Sequence, residues 1–355
     1  MTSWTKTPAE EAARRARHGQ TPVVVVIPYY NGSDFIERSA RSVLEQTVPP
    51  AEFLVVDDGS TAEEAARLDA IAERMGFTVL RKANGGQGSA RNHGVRHSTS
   101  PFICFLDQDD FYLKTHIETL IDAMPDDDPH FGWVYGELFE ADGDGQVVRT
   151  SIVSHHSSHP KTSLADLLAN DMHVLPSASL IAREAFEAVD GFDEQFMGYE
   201  DDDLFLRIFR RGYTNHFTPK PVTVWCIHTE STSYGIRMAR SRWRYFQKLI
   251  GLFPDDPEKG RFFVRDLMIK RFHQPIMREA RNAALDVPGK YTAHKREYLQ
   301  IANDYVATLL AMPSIPASFK KKLVLRRRVL NSPHARHIFR ILFRLERLKA
   351  YLIRR

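Results

Sequence analysis

Along the first third of the chain, short apolar runs alternate with segments of helical spacing. Pro22–Ile27 (PVVVVI) is a continuous, mostly β-branched run, which predicts a strand buried on both faces. Phe53–Val56, Phe77–Leu80 and Phe102–Leu106 predict three more strands. Between the first two, Phe35, Ile36, Ala40, Val43 and Leu44 fall on one side of a helix that Asp34 is placed to cap. Ala62–Met75 predicts a second helix and Lys114–Met124 another, while NGGQGSARN (Asn84–Asn92) is a glycine-rich turn opening into a helix. Strand and helix alternating at this spacing predict an α/β fold with a parallel sheet and helices on both faces. The polar motifs PYYNGSD, DDGS, NGGQGSARN and DQDD all follow predicted strands, so they fall on one edge, where open α/β sheets bind ligands.

Beyond Asp128 the rhythm changes. Gly132–Glu140 and Val147–Ser151 predict a hairpin turned by ADGDG, followed by the polar loop Ser154–Pro160 and a helix near Leu164–Leu168. Pro176–Ala182 predicts a strand, and Val222–His228 another. Between them GYEDDDLFLRIFRRG is a helix with an acidic start, apolar Leu204, Phe205, Ile208 and Phe209, and Gly212 as its stop. After about Arg237 the pattern is helical, with breaks near Pro254–Gly260 and Pro288–Gly289. The expected organisation is an N-terminal arm over 1–20, a main domain over 21–235 and a helical region over 236–355.

Composition narrows the class. The chain of 355 residues is 43% hydrophobic and 26% charged, as in soluble globular proteins. No secretory signal and no apolar run approaching the ~18 residues of a membrane span is visible, which points to the cytoplasm. Cys104 and Cys226 lie in apolar runs and are expected as buried free thiols, not a disulfide framework. The net charge of +3 conceals an asymmetry: from Phe319 onward 13 Lys or Arg face one acid, Glu346. Such a tail suits an anionic partner. Within Ala335–Ile353, Ile338, Ile341, Leu342, Leu345, Leu348 and Leu352 recur at helical spacing, with Arg336, Arg340, Arg344 and Arg347 opposite. That pattern predicts a helix lying in a membrane interface rather than on nucleic acid, with Lys320–Lys322 and Arg326–Arg328 adding attraction to anionic lipid. The plain alternative is a helix packed on its own domain or on a twin subunit.

The chemistry centres on Phe102–Asp110, FICFLDQDD, an apolar run ending in Asp107, Asp109 and Asp110. Like charges repel unless a cation lies among them. A hard divalent ion sharing phosphate oxygens would supply one, whereas the plain alternative is an acidic turn ahead of a helix. Gly85, Gly86 and Gly88 would let backbone approach a phosphate at a helix N-terminus, with Arg91 in the first turn. The spacing is neither a dinucleotide fingerprint nor a P-loop. Asp57 and Asp58 can accept from a base or ribose, or serve, with Ser60 and Thr61, a helix start. Glu200–Asp203 exceeds what capping needs. His155, His156 and His159 read as a polar loop, and Trp133 and Trp225 as core.

VVVVIPYYN, LVVDDGS, NGGQGSARN, FLDQDD, GFDEQFMGYEDDDL and His228 occur in the order found in family 2 glycosyltransferases of the GT-A fold, and the resemblance covers Pro22 to Ser233. It implies a Rossmann-like nucleotide-diphospho-sugar transferase domain, with the donor half over about 21–128 and the acceptor half over about 129–235. The implied reaction is an inverting transfer from a nucleotide-diphosphate sugar, a UDP-sugar above all, to a glycan or lipid-linked acceptor, with Mn²⁺ or Mg²⁺ as cofactor. Residue by residue, Pro28, Tyr30 and Asn31 would line the nucleotide pocket, Asp58 would accept from the base, and Gly86 and Arg91 would stand near base or phosphate. Asp107 would lie by the ribose, Asp109 and His228 would ligate the metal, and Asp201 would be the catalytic base. The resemblance also makes surface polysaccharide or glycolipid synthesis on the inner face of the membrane the expected setting. A homo-oligomer is compatible with it. Two other classes stay in view. A sugar-nucleotide-forming nucleotidyltransferase would carry a glycine-rich loop with a Lys after the first strand, which PYYNGSD lacks. A catalytically silent scaffold for glycan assembly would have no need of Asp109, Asp201 and His228.

Overall fold

The computed structural model describes residue 19 and residues 21–227 and 235–341. His228, the arm over 1–18 and the end of the basic tail from 342 onward lie outside the described residues. Two compact units divide the chain, one holding residues 1–163 and 171–231, the other residues 164–170 and 232–355.

The first unit is built on one mixed sheet. Its strands are β1 (Val23–Tyr29), β2 (Glu52–Asp57), β3 (Thr78–Arg81), β4 (Phe102–Phe105), β5 (Phe111–Tyr112), β6 (Phe131–Ala141), β7 (Val147–Arg149), β8 (Ser179–Ala182) and β9 (Thr214–Cys226). The order is β3-β2-β1-β4-β8-β6-β9-β5, with β7 paired to β6. β1 pairs in parallel with β2 and β4, and β2 with β3, which gives the parallel half expected from the alternation. Every residue of β1 is buried, the reason its sequence is continuously apolar rather than alternating. β8 runs antiparallel to both β4 and β6 and turns the parallel half into a mixed sheet.

Helices α1 (Ser33–Leu44), α2 (Ala62–Met75) and α3 (Gln87–Arg96) follow the first three strands. Thr61 caps α2, accepting from the Glu64 N–H, and Gly76 closes the helix in the left-handed region. Asp34 does not cap α1. The N-cap is Gly32, and the first helical residue, Ser33, gives its N–H and hydroxyl to the Glu64 carboxylate, both at 3.1 Å. Asp34 stands instead in the first turn, where a carboxylate favours the helix dipole. α3 lies against β1 so closely that a Cβ on Gly94 would meet Val26 Cγ1 at 2.4 Å. After β5 come α4 (His116–Asp122), then α6 (Arg183–Glu187) and α7 (Glu200–Arg210), whose buried Leu204, Phe205 and Ile208 form its apolar stripe.

Two strand limits differ from the sequence reading. Pro176–Ala178 form a single 3₁₀ turn, so β8 begins at Ser179. β9 begins at Thr214 rather than Val222, because Pro219 and Pro221 sit in a register shift. Gly136 pairs with Thr218 and Glu137 with Pro221, so the strand bulges where proline cannot donate. Cys104 and Cys226 are buried and free, as expected.

The second unit is helical, as its pattern predicts. It comprises α5 (Leu164–Ala169), α8 (Ile236–Leu252), α9 (Ile269–Ala284), α10 (Lys290–Ala293), α11 (Lys295–Ala311) and α12 (Ala317–Leu330). Phe246 is the centre of its core, edge-on to Phe272 at 5.4 Å and to Tyr305 at 5.1 Å. Arg271, otherwise costly in that core, donates to the Leu167 carbonyl of α5 at 2.9 Å.

Candidate active site

The turns that follow β1, β2 and β4, and the start of α3, meet at one edge of the sheet. Pro28 is buried near the end of β1, in register with Val56. Tyr30 is half exposed, and its backbone N–H and C=O are both taken by the Gln108 amide, at 2.8 and 3.3 Å. Asn31 adopts φ 46° and ties the same turn to the next one. Its N–H donates to Ser60 Oγ at 2.9 Å, and its Oδ1 accepts from the Thr61 N–H at 3.0 Å. PYYNGSD is thus laced to DDGS and to DQDD by hydrogen bonds between backbone and side chains.

Asp58 is buried and its carboxylate organises the glycine-rich turn. It accepts from the Gly85 N–H at 2.9 Å, the Gly86 N–H at 2.7 Å and Lys82 Nζ at 2.6 Å. Gly86 has φ 89°, a conformation L side chains avoid, and its outer side meets Met197. The turn therefore delivers α3 in a fixed position, with its first residues facing the carboxylates beyond β4.

DQDD forms the connection from β4 to β5. Asp110 is buried and accepts from the Cys226 N–H at 2.9 Å, and β5 pairs Phe111 with Val224, so the end of β9 is brought back beside the motif. Burial, reinforced by Asp109 and Asp107, pushes the Asp110 carboxyl well above the usual range. Arg38 donates to the Asp109 carbonyl at 2.8 Å and faces Cys226 Sγ at 3.3 Å. His228, the second expected ligand, lies two residues beyond Cys226 and outside the described residues. Among the described residues no group of three His, Cys, Asp or Glu is close enough to enclose an ion. The oxygen donors of this turn nevertheless suit Mn²⁺ or Mg²⁺, which take one or two carboxylates and complete their shell with substrate phosphates and water.

Arg91 connects this motif to the acceptor half. It is 2% exposed, donates through Nη2 to Asp107 and through Nη1 to Glu200 at 3.2 Å, and lies 5.2 Å from the Phe192 ring centroid. Burial alone would lower its basicity, but Asp107 and Glu200 outweigh that and hold it charged. Both carboxylates thus occupy a guanidinium that the family resemblance turns toward base or phosphate.

The four acids opening α7 divide their work. Glu200 accepts from Arg91, from Gln87 Nε2 and from the Gly198 N–H at 2.8 Å. Asp202 accepts from the Met172 N–H at 3.1 Å, and Asp203 from Arg207 Nε at 2.7 Å. Asp201 accepts only the adjacent Asp202 N–H, at 2.8 Å, with no side-chain donor among the described residues. Burial, then Asp202 and Glu200, push its carboxyl well above the usual range, with Arg91 opposing. A carboxyl with a raised pKa is a candidate for proton transfer.

Sequence reasoning missed Lys82, Gln108, Arg38 and the bonding role of Glu200. Nothing in the pattern marks the first three, because each is recruited by a turn distant in sequence. Trp133 is buried against Phe205, centroids 5.2 Å apart, so it belongs to the core. His159 bonds the Tyr135 hydroxyl through Nδ1 at 2.7 Å, and burial lowers it to about 4, so it pins its loop as a neutral ring.

Residues 24–189 match the family model described as glycosyl transferase family 2. The likeness to that family holds over this stretch, and the fold is GT-A. Residues 177–229 also match a model described as the N-terminal domain of galactosyltransferase. An uncharacterized glycosyltransferase of Rickettsia bellii is 31% identical over 193 residues, 53% of this chain and 27% of that protein. Succinoglycan biosynthesis protein ExoW of Rhizobium meliloti is 32% identical over 198 residues, 52% of this chain and 62% of that protein. The chain thus spans less than two thirds of these relatives' length. Among solved structures, S. aureus TarS in complex with UDP-GlcNAc superposes with a TM-score of 0.58 at 17% identity, covering 89% of this chain and 88% of that one.

Proposed function

We propose that the protein is a metal-dependent inverting glycosyltransferase that moves a sugar from a nucleotide-diphosphate sugar to a hydroxyl of a glycan or lipid-linked acceptor. The observation that carries this is Asp201, which accepts a backbone N–H and adjoins Glu200, itself tied through Arg91 to the Asp107 end of DQDD. A UDP-sugar is the expected donor, supported by the UDP-GlcNAc complex of the structural relative. Surface polysaccharide or glycolipid synthesis is the expected setting, supported by the name of the Rhizobium meliloti relative.

In this mechanism Asp201 takes the acceptor's hydroxyl proton as the oxygen attacks the anomeric carbon from the face opposite the diphosphate. The carbon–oxygen bond to the acceptor forms, the bond to the diphosphate breaks, and the diphosphate leaves with the electron pair. One base and no second nucleophile give single displacement with inversion. The N-terminus of α3, positioned by the Gly85–Gly86 turn, presents backbone N–H groups to the donor. Asp109, with His228, would hold Mn²⁺ or Mg²⁺, which when bound supplies a Lewis acid for the leaving diphosphate.

A panel of sugar nucleotides, assayed for nucleotide diphosphate release with and without Mn²⁺, tests this reading. Metal-stimulated release from one donor is expected. No release from any donor favours the silent scaffold. Asp109→Ala should weaken donor binding by calorimetry when metal is present and leave it unchanged in EDTA. A loss equal in both conditions rejects the metal role.

The proposal places the enzyme at the anionic inner face of the cell membrane. Support comes from α12, where Lys321, Lys322, Arg327 and Arg328 are exposed and have no carboxylate partner among the described residues. Leu325, 63% exposed, stands among them. Cations around an exposed apolar side chain suit anionic lipid headgroups and the boundary beneath them. Among the described residues no helix is long and apolar enough to cross a membrane.

A further inference from the structure

Glu200 adjoins the proposed base and is itself buried and hydrogen-bonded. It is 4% exposed, and its two oxygens accept from three donors on two segments. Oε1 receives Gln87 Nε2 and Arg91 Nη1, and Oε2 receives the Gly198 N–H at 2.8 Å. Gln87 and Arg91 are four residues apart on α3, so one helix face delivers both side chains to one oxygen. α3 is itself fixed at its start by Asp58 through Gly85 and Gly86. Further along, Asn92 exchanges two hydrogen bonds with the Phe192 backbone, both 2.9 Å, in the segment leading to α7. From the other side Arg207 of α7 reaches the Gly191 carbonyl at 2.8 Å. The turn into α7 has no capping side chain, and Tyr199 adopts φ 63°, so Glu200 supplies the anchor that a cap would.

We propose that Glu200 is a positioning residue: it transmits the placement of the donor-side helix α3 to Asp201, acting by its reach to Arg91 and Gln87 rather than by its charge. Arg91 is its partner, bonded at the same time to Asp107. The pair sets how far the proton-accepting oxygen stands from a sugar held beyond DQDD. Displacing a reacting group by about 1 Å can cost about a hundredfold in rate. The inference rests on the assignment of Asp201 as the base.

Two variants separate reach from charge. Glu200→Asp keeps the charge but is one methylene too short to meet Arg91 and Gln87 together. Glu200→Gln loses the charge but keeps an oxygen on both, forfeiting only the bond from Gly198. In the full chain with metal and donor, Glu200→Asp should lower kcat about tenfold to a hundredfold, with the donor KM and Tm little changed. Glu200→Gln should stay within about threefold of the unsubstituted enzyme, on the same argument. Glu200→Asp outperforming Glu200→Gln, or either change appearing in the donor KM instead of kcat, overturns the inference. Asp201→Asn distinguishes its failure from that of the wider reading. If Asp201→Asn abolishes transfer while Glu200→Asp has normal kcat, the positioning role alone falls. If Asp201→Asn transfers normally, the base assignment falls first.

Discussion

Asp201 sits where its charge is costly, with Asp202 and Glu200 beside it, and that cost has two measurable consequences. A base must be deprotonated, so activity should be lost as pH falls through the raised pKa, higher than an ordinary carboxylate would give. Asp202→Asn removes one of the neighbouring charges while keeping an oxygen for the Met172 N–H, and should move the acid limb of the kcat profile to lower pH. An acid limb that does not move removes Asp202 as the cause. For folding, a carboxyl whose pKa is raised in the native state binds its proton more tightly there than when unfolded. Stability contributed by it is therefore lost as pH rises from the ordinary carboxylate range through the raised value. Asp201→Asn should consequently raise Tm at neutral pH, with the gain vanishing below the ordinary range, as thermal melts across pH would show. The acid cluster was legible in the sequence because four carboxylates exceed what a helix start needs. Its division of labour was not, because the donors to Glu200 come from α3, more than a hundred residues earlier.

At the scale of elements, β6 and its following loop show how a buried acid substitutes for regular pairing. The Glu137 carboxylate accepts from the N–H groups of Val153 at 2.6 Å and Ser154 at 2.9 Å, which hold its pKa below the usual range despite burial. Glu137→Ala would leave buried donors unmet, each worth about 1–3 kcal/mol. A lower urea midpoint with an unchanged slope is expected, with faster amide exchange confined to residues 151–159. Unaltered exchange there would contradict the assignment. The parallel strands were readable because each is an uninterrupted apolar run, as β1 shows. β9 was truncated by the reading because Pro219 and Pro221 mimic a strand end, and only the partner strand reveals that they occupy a bulge. The start of α1 was misplaced by a comparable effect: the nearest polar residue, Asp34, was credited with a job done by Glu64 of another helix.

Taken whole, the chain comprises a unit of GT-A fold and a helical unit whose charge is concentrated near its end. Residues Lys320–Lys322 and Arg326–Arg328 carry that charge on α12, so the proposed membrane attraction can be tested without the segment beyond 341. Replacing Lys320, Lys321 and Lys322 by Gln should weaken binding to phosphatidylglycerol vesicles about a hundredfold, at about 1 kcal/mol per lysine near the surface. Raised salt should mimic the substitution, and binding unchanged by both would reject the surface. The helical character of this unit was plain from its spacing, whereas the membership of α5 was not, because Leu164–Asn170 is separated from the rest of the unit by more than sixty residues of the other. The central claim, that the carboxylate of Asp201 takes the acceptor's proton beside a donor held at DQDD, is tested most directly by Asp201→Asn. The rate of glycosyl transfer and the donor Kd should be measured on the same preparation. The account predicts transfer falling by at least about 10²–10⁴-fold, as for a lost general base, with donor Kd nearly unchanged. Transfer persisting at the unsubstituted rate, or falling only in step with donor binding, would contradict it.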